Sequence, residues 1–310
     1  MENDLPHIAL VTARDALAID PDLPPLVEAL QRAGASVSTP CWDDSAVDWS
    51  GFDLAVLRST WDYVERIAEF RAWTRRCAAQ TRLFNPPALL EWNTDKHYLQ
   101  HLDRAGVAVV PTCYVEPGAD ARQSLRQFLA GGPDSLSVGR ACDFDEFVVK
   151  PTIGAGSRDA ARYRRSDVDP ALAHLSRLVT AEGRSAMLQP YLASVEAAGE
   201  TALIYYDGVP SHAFRKGPLL RLDAGLVEGL FAPEEISARD AADDERLLAA
   251  AAHAAIPFER PLYVRLDMIR DTWGTPVILE LEMTEPSMFY AYAPGSADRF
   301  AALLITRSAG

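Results

Sequence analysis

Residues Tyr263–Met283 read YVRLDMIRDTWGTPVILELEM. Two runs of β-forming residues flank Thr272–Thr275, which predicts an antiparallel hairpin turning at Trp273-Gly274. Side chains alternate faces along a strand. In the first run Val264, Leu266 and Met268 point one way, and Tyr263, Arg265 and Asp267 the other. In the second, Val277, Leu279, Leu281 and Met283 share a face, opposite Ile278, Glu280 and Glu282. A turn centred on Trp273-Gly274 sets Asp267 across from Glu280 and Arg265 across from Glu282. One face is then aliphatic, and the other gathers three carboxylates around one arginine.

Directly opposed like charges destabilise a sheet, so the carboxylates need a reason to meet. Two readings are open at this point. Mg2+ takes oxygen ligands, commonly one or two carboxylates together with the phosphates of a nucleotide. A solvated outer face would also carry such charges. The rest of the chain decides between them.

A length of 310 residues allows two or three domains and an ample core. At 48% hydrophobic and 24% charged, the composition is that of a soluble globular protein. No run of eighteen apolar residues predicts a membrane span. The start, MENDLPHIALVTA, passes directly into a strand and does not read as a signal peptide. Cys41, Cys77, Cys113 and Cys142 have neither CxxC nor zinc spacing, which predicts reduced thiols in a cytoplasmic protein. A net charge of −14 argues against nucleic acid, which demands a basic footprint, whereas a nucleotide needs only a few local cations. His97 and His101, in TDKHYLQH, lack the glutamate of a zinc-protease motif and read as helix surface.

Strand–helix alternation runs through Ile8–Thr12, the helix Pro24–Ala33, strands Val37–Cys41 and Leu54–Leu57, the helix Glu65–Ala79 and the strand Arg82–Phe84. That order predicts a parallel sheet with crossover helices. Beyond Pro86-Pro87, a capped helix is expected at Thr94–Ala105. Strands at Val107–Val115, Phe147–Pro151, Ala160–Arg164 and Met187–Leu192, with helices at Ala121–Leu129 and Pro170–Ala181, make a mixed α+β unit. A hairpin of Thr201–Tyr206 and Ser211–Arg215 turns at Asp207-Gly208. Helices Ala241–Ala255 and Ser296–Thr306 bracket the acidic hairpin. The irregular stretch Gly217–Ser237 is long enough to serve as a lid.

FVVKPTIGAGSRDAARY (Phe147–Tyr163) is a strand ending at Lys150, a small-residue loop with Gly154, Gly156 and Ser157, and a returning strand. Backbone N–H groups of such a loop can close over phosphates beside a lysine point charge. It is no Walker A, because no Gly-Lys-Ser/Thr follows, and no dinucleotide fingerprint, because a strand comes where a helix should. RSTWDY (Arg58–Tyr63) follows the strand DLAVL, where open α/β sheets bind ligands. Arg58, Ser59 and Thr60 suit an anionic group there, and an ion pair of Arg58 with Asp62 is the plainer alternative.

In this order the elements resemble the ATP-grasp superfamily and, within it, the glutathione-synthetase-like branch. The likeness rests on NPPALLEWNTDKHYLQHL, FVVKPTIGAGSRD, MLQPYL, RLDMI and ILELEMTEPS, and it runs from Arg58 to Ser287. RSTWDY with QPYL, and no DPP signature after Arg58, is most similar to cycloserine-synthetase-type members, which close a ring on a serine-derived substrate. The resemblance implies an α/β ATP-grasp fold. Residues 1–93 would form a Rossmann-like N-terminal domain, 94–191 a central ATP-binding subdomain, and 192–310 a C-terminal subdomain with the metal strands.

It also implies roles. Lys96, Lys150, Thr152, Gly154, Gly156 and Ser157 would hold the phosphates of ATP. Gln189, Tyr191 and Leu192 would read adenine, and Glu196 or Glu200 the ribose. Asp267, Glu280 and Glu282 would bind Mg2+, with Mn2+ as the alternative ion. Glu282 stands where asparagine is frequent, which adds negative charge. Arg265 and Arg215 would meet the transferred group, and Arg58, Ser59, Thr60 and Asp62 an amino-acid-like substrate. The reaction implied is carboxylate activation as an acyl phosphate, amine attack, and release of ADP and phosphate. Neither nucleic acid nor membrane is expected as a partner, and a homodimer is an open expectation. Two rivals stand beside this reading: a non-catalytic ATP-binding regulatory module, and a dinucleotide oxidoreductase, against which TARDALAID offers no glycine after the first strand.

Overall fold

The structure is a computed structural model that describes residues 5–132, 134–135, 139–140, 144–223, 225–226 and 234–309. Strands β1 (His7–Thr12) and β3 (Leu54–Ser59) are almost wholly buried on both faces, as strands in the middle of a parallel sheet must be. With β2 (Ser36–Ser38) and β4 (Leu83–Phe84) they form a parallel sheet of order β2-β1-β3-β4. Helix α1 (Leu23–Arg32) opens on prolines, whose missing N–H costs nothing there, and buries Leu23, Leu26, Ala29 and Leu30. Helix α2 (Ile67–Ala78) packs Phe70 and Trp73 with Trp42 on the other face.

Helices α3 (Pro87–Asn93) and α4 (Tyr98–Arg104) replace the single helix expected at Thr94–Ala105. Asp95 turns its carboxylate back onto the His97 N–H at 3.2 Å, a local turn that competes with helix and leaves Lys96 between the two. A second, antiparallel sheet of order β5-β10-β8-β9 follows, from β5 (Cys113–Val115), β8 (Glu146–Pro151), β9 (Ala161–Arg164) and β10 (Ala186–Pro190). A two-residue ribbon, β6 (Asp134–Ser135) with β7 (Gly139–Arg140), precedes β8. Helices α5 (Ala121–Gly131) and α6 (Val168–Ser176) cover one face over Leu125, Phe128, Phe147, Leu175 and Leu188. The strand expected over Val107–Val115 divides at Pro111. Residues 108–110 bond to Ile278 of the third sheet, and β5 pairs with β10.

The third sheet, of order β13-β12-β11-β14-β15, is antiparallel. After the short helix α7 (Ser194–Ala198) come β11 (Glu200–Tyr206), β12 (Val209–Lys216), β13 (Ile236–Ala238), β14 (Tyr263–Arg270) and β15 (Pro276–Glu282). Helix α8 (Asp243–Ala254) covers one face over Leu203, Tyr205, Leu266 and Ile278. The closing helix α9 (Ser296–Ser308) returns to the first sheet, where Phe300 and Leu304 join Leu10 and Leu26. Of the expected lid Gly217–Ser237, residues 224 and 227–233 lie outside the described residues, as does Cys142. Cys41, Cys77 and Cys113 are free thiols. Among the described residues no helix is long and apolar enough to cross a membrane.

The β14–β15 hairpin pairs Asp267 with Glu280 and Arg265 with Glu282, the pairing the alternation predicts. It gets there by a different route. Near the turn Arg270 pairs with Pro276 and Met268 with Ile278, and the register then shifts by one. Leu279 is the extra residue, a β-bulge. Two faces change in consequence: Ile278 joins the core beneath α8, while Val277 and Leu279 turn to the site side with Ile269.

β15 is an edge strand, and exposed edge groups need partners. Side chains supply them. Asn93 accepts from the Met283 N–H and donates to the Leu281 carbonyl, both at 2.8 Å, and Tyr98 accepts from the Leu281 N–H at 2.8 Å. Asn85 donates to the carbonyls of Tyr263 and Met283 and accepts from the Leu262 N–H. The acidic hairpin is thereby fixed to the first sheet.

Candidate active site

Between the second and third sheets lies a cavity of about 450 Å³. Its polar wall is built on alternation. Lys150 projects from β8, Glu200 from β11, Lys216 from β12, Arg265 and Asp267 from β14, and Glu280 and Glu282 from β15. Lys96, in the turn before α4, reaches Glu280 at 3.0 Å and donates to the Gly154 carbonyl at 2.7 Å.

The charges are tightly coupled. Arg265 grips both oxygens of Asp267 at 2.8 Å each, donates to Glu282 at 2.5 Å, and reaches the Ser287 carbonyl at 3.1 Å. Lys216 stands 2.9 Å from Asp267, 3.1 Å from Glu200 and 3.7 Å from Glu234. Burial opposes ionisation of Asp267, but Arg265 and Lys216 overcome it and hold the carboxyl down to about 2. Burial pushes Glu282 up to about 7 despite Arg265, with Glu280 and Asp267 adding their repulsion. Lys150 falls to about 8, chiefly through burial, and it makes no hydrogen bond or ion pair among the described residues.

The expected metal ligands are on one wall, but they are not alike. Both oxygens of Asp267 already accept from Arg265 and Lys216. Glu280 and Glu282 each present one oxygen that meets no protein donor among the described residues. Two carboxylates with an available oxygen each are what a hard cation shared with phosphate requires. Asp267 instead serves in this structure to hold Arg265 and Lys216.

Several expected residues are elsewhere. Arg215 is on the α8 side of β12, where it donates to the Ala198 carbonyl, and Lys216 occupies the cavity in its place. The cause is an extra residue at Ser211, which shifts the β11–β12 register so that Glu200 faces Lys216. Thr152 lies behind the loop, its carbonyl accepting from the Lys96 N–H, while Gly154, Gly156 and Ser157 line the cavity. Gln189, Tyr191 and Leu192 also line the cavity. Glu196 is tied up outside by Arg162 at 2.6 Å and the Tyr191 hydroxyl at 2.8 Å, so Glu200 is the acid of that pair inside the cavity.

Arg58, Ser59, Thr60 and Asp62 all lie off the cavity. Arg58 is fully buried and donates to the Pro286 carbonyl at 3.1 Å. Ser59 bonds Thr12 at 2.8 Å, and Asp62 accepts from Trp42 and Arg66. Thr60 is buried off the cavity. Trp61 and Tyr63 reach the cavity instead, with Trp61 directly beside Glu285. A strand end buried on both faces leaves the side chains just beyond it, rather than its own, to meet a ligand.

Glu285 is another residue the sequence reading missed. Burial pushes its carboxyl up to about 8, with Glu282 adding to the effect. A raised carboxyl contributes full stability below its ordinary value of 4.5, and loses it as pH rises toward about 8. Glu285→Gln cannot ionise, so its melting temperature should gain on the wild type between pH 5 and pH 8.5. Melts of both proteins without added nucleotide check this; a constant gap would show that the charge carries no penalty.

Comparison with known proteins bears on the whole assembly. Residues 8–85 match the family model described as D-cycloserine synthetase DcsG, N-terminal domain. The cycloserine biosynthesis protein DcsG of Streptomyces lavendulae is 43% identical over 305 residues, 97% of this chain and 98% of that one. The chain belongs to the DcsG family. The crystal structure of D-cycloserine synthetase DcsG superposes with a TM-score of 0.89 at 42% identity, covering 97% and 99% of the two chains. A D-alanine–D-alanine ligase from Bacillus anthracis, solved with ATP, shares the fold with a TM-score of 0.64 at 16% identity and 97% coverage of each chain. As a member of the DcsG family, the chain is an enzyme, a ligase of ATP-grasp fold.

Proposed function

We propose that this ligase closes the ring of a cycloserine-type product, with ATP as the second substrate. The observation that carries the reading is the cavity wall of Lys96, Lys150, Lys216, Arg265, Glu280 and Glu282, set in a chain 43% identical to DcsG along nearly its full length. Cycloserine holds its ring closed by an amide between a carboxyl carbon and an aminooxy nitrogen. A ligase forms that bond by moving the γ-phosphoryl group of ATP onto the carboxylate, so that ADP leaves. The nitrogen then attacks the acyl carbon, phosphate departs with the C–O electrons, and the nitrogen loses its proton.

This chain's residues supply positioning and charge, the terms that dominate phosphoryl transfer. Lys96, Lys150 and Lys216 neutralise the polyphosphate, and the Gly154–Ser157 loop closes over it with backbone N–H groups. Glu280 and Glu282 would hold Mg2+, which neutralises phosphate charge when bound. Arg265, fixed by Asp267 and Ser287, faces the carboxyl group where negative charge grows. Gln189, Tyr191 and Leu192 would receive the base and Glu200 the ribose. In domain terms we propose three units, 1–93, 94–191 and 192–310, with the closing helix packed back on the first.

Lys150→Ala is expected to weaken ATP binding about tenfold or more, because a charge-assisted contact contributes roughly 1.5–3 kcal/mol. Calorimetric titration with ATP checks it, and an unchanged affinity would remove Lys150 from the phosphate site. The reading itself is tested by incubating the protein with Mg-ATP and O-substituted D-serines while measuring ADP, AMP and phosphate. Substrate-dependent ADP and phosphate with a cyclic product support it. AMP with pyrophosphate, or ATP binding without turnover of any such substrate, would overturn it.

A further inference from the structure

Resting on that reading, we propose that Glu285, backed by Tyr63 and faced by Trp61, is the receptor for the α-ammonium group of the amino-acid substrate. Arg265 marks where the reacting carboxyl group must lie, and its guanidinium bonds the Ser287 carbonyl at 3.1 Å. The segment carrying Glu285 therefore runs beside the reacting centre. In an α-amino acid the ammonium nitrogen is two bonds from the carboxyl carbon, so it must fall within hydrogen-bond reach of that neighbourhood. The acids available there are Glu282 and Glu285. Glu282 is committed to Arg265 at 2.5 Å. Glu285 is only 8% exposed, lines the cavity, and forms no ion pair among the described residues.

Its surroundings suit a cation. The Tyr63 phenol lines the same cavity close to the carboxyl group and lowers its proton affinity. The Trp61 indole donates to the Glu285 main-chain carbonyl at 3.2 Å, which holds the residue in place and sets an aromatic ring at the same wall. A buried carboxylate beside aromatic rings attracts an ammonium group by direct pairing and by the ring quadrupole. A carboxylate in this position would repel a second substrate carboxylate, so the site selects amino acids over diacids.

The test compares an O-substituted D-serine with its analogue lacking the α-amine, in the wild type, Glu285→Gln and Tyr63→Phe. Calorimetric ATP binding, retained in each variant, shows that the fold and nucleotide site persist. Wild type should prefer the amine-bearing substrate at least a hundredfold in kcat/KM. Glu285→Gln should lose most of that preference through a KM increase of tenfold or more, with KM for ATP unchanged. Tyr63→Phe should show a smaller KM rise in the same direction. A Glu285→Gln enzyme that keeps the wild-type preference, or that loses kcat alone at constant KM, would overturn the assignment. A wild type that turns over neither compound would overturn the ring-closing reading itself.

Discussion

Glu280→Gln is expected to lower turnover by about a hundred- to a thousandfold, the scale of losing one preorganised electrostatic contact to the transferred group. The melting temperature should shift by no more than about 2 °C, equivalent to under ~1 kcal/mol. The two expectations separate because of the charges around Glu280. Burial opposes its ionisation, while Lys96, at 3.0 Å, and Lys150 favour it. Neighbouring Asp267 repels it, so removing its charge relieves one interaction as it forfeits another. What glutamine cannot replace is an anionic oxygen for a hard cation. Steady-state turnover at rising Mg2+, alongside a thermal melt, makes the comparison. Near-normal activity at saturating Mg2+ would exclude Glu280 as a metal ligand.

Lys216→Ala carries the larger stability effect. Removing one partner from a buried ionic cluster costs about 3–5 kcal/mol, because the remaining charges are left uncompensated. Here Asp267 and Glu200 would both lose their ammonium partner. The melting temperature should fall by about 6–20 °C on the usual conversion for domains of this size. Lys216→Met separates charge from packing, since it keeps much of the stem volume. Equal destabilisation in both variants supports the ionic account, and a methionine variant as stable as wild type would defeat it.

How far the sequence could be read turned on two single-residue bulges. Alternation alone located the acidic hairpin, but three residues rather than the assumed two turn between Asp271 and Thr275, and the extra residue at Leu279 restored the pairing of Asp267 with Glu280. At the other hairpin the bulge worked against the reading. A two-residue turn at Asp207-Gly208 with unbroken pairing would put Arg215 opposite Glu200; the extra residue at Ser211 puts Lys216 there instead. Pro210, with no N–H to give the ladder, was the one local hint. Lys96, Lys150 and the glycine loop were legible because their order along the chain is distinctive. Glu285 and Tyr63 were not, since each acquires meaning only when Arg265 and Ser287 are placed beside it in space. Arg58 looked like a ligand for an anion because charge type carries no record of burial.

The amide clamps of Asn85 and Asn93 have a mechanical consequence. They join the first and third sheets through buried hydrogen bonds, each of which contributes about 1 kcal/mol and costs more to leave unmade. Where the phosphate loop of the second sheet meets the first, the ties are weaker. Arg158 reaches Glu65, which is 70% exposed, and the Trp61 carbonyl, with a light apolar touch from Ile153 and Ala155. An exposed pair of that kind contributes at most ~1 kcal/mol. The molecule therefore has one strong weld and one weak seam. Opening of the nucleotide site at this seam would break the Arg158 contacts long before the asparagine clamps.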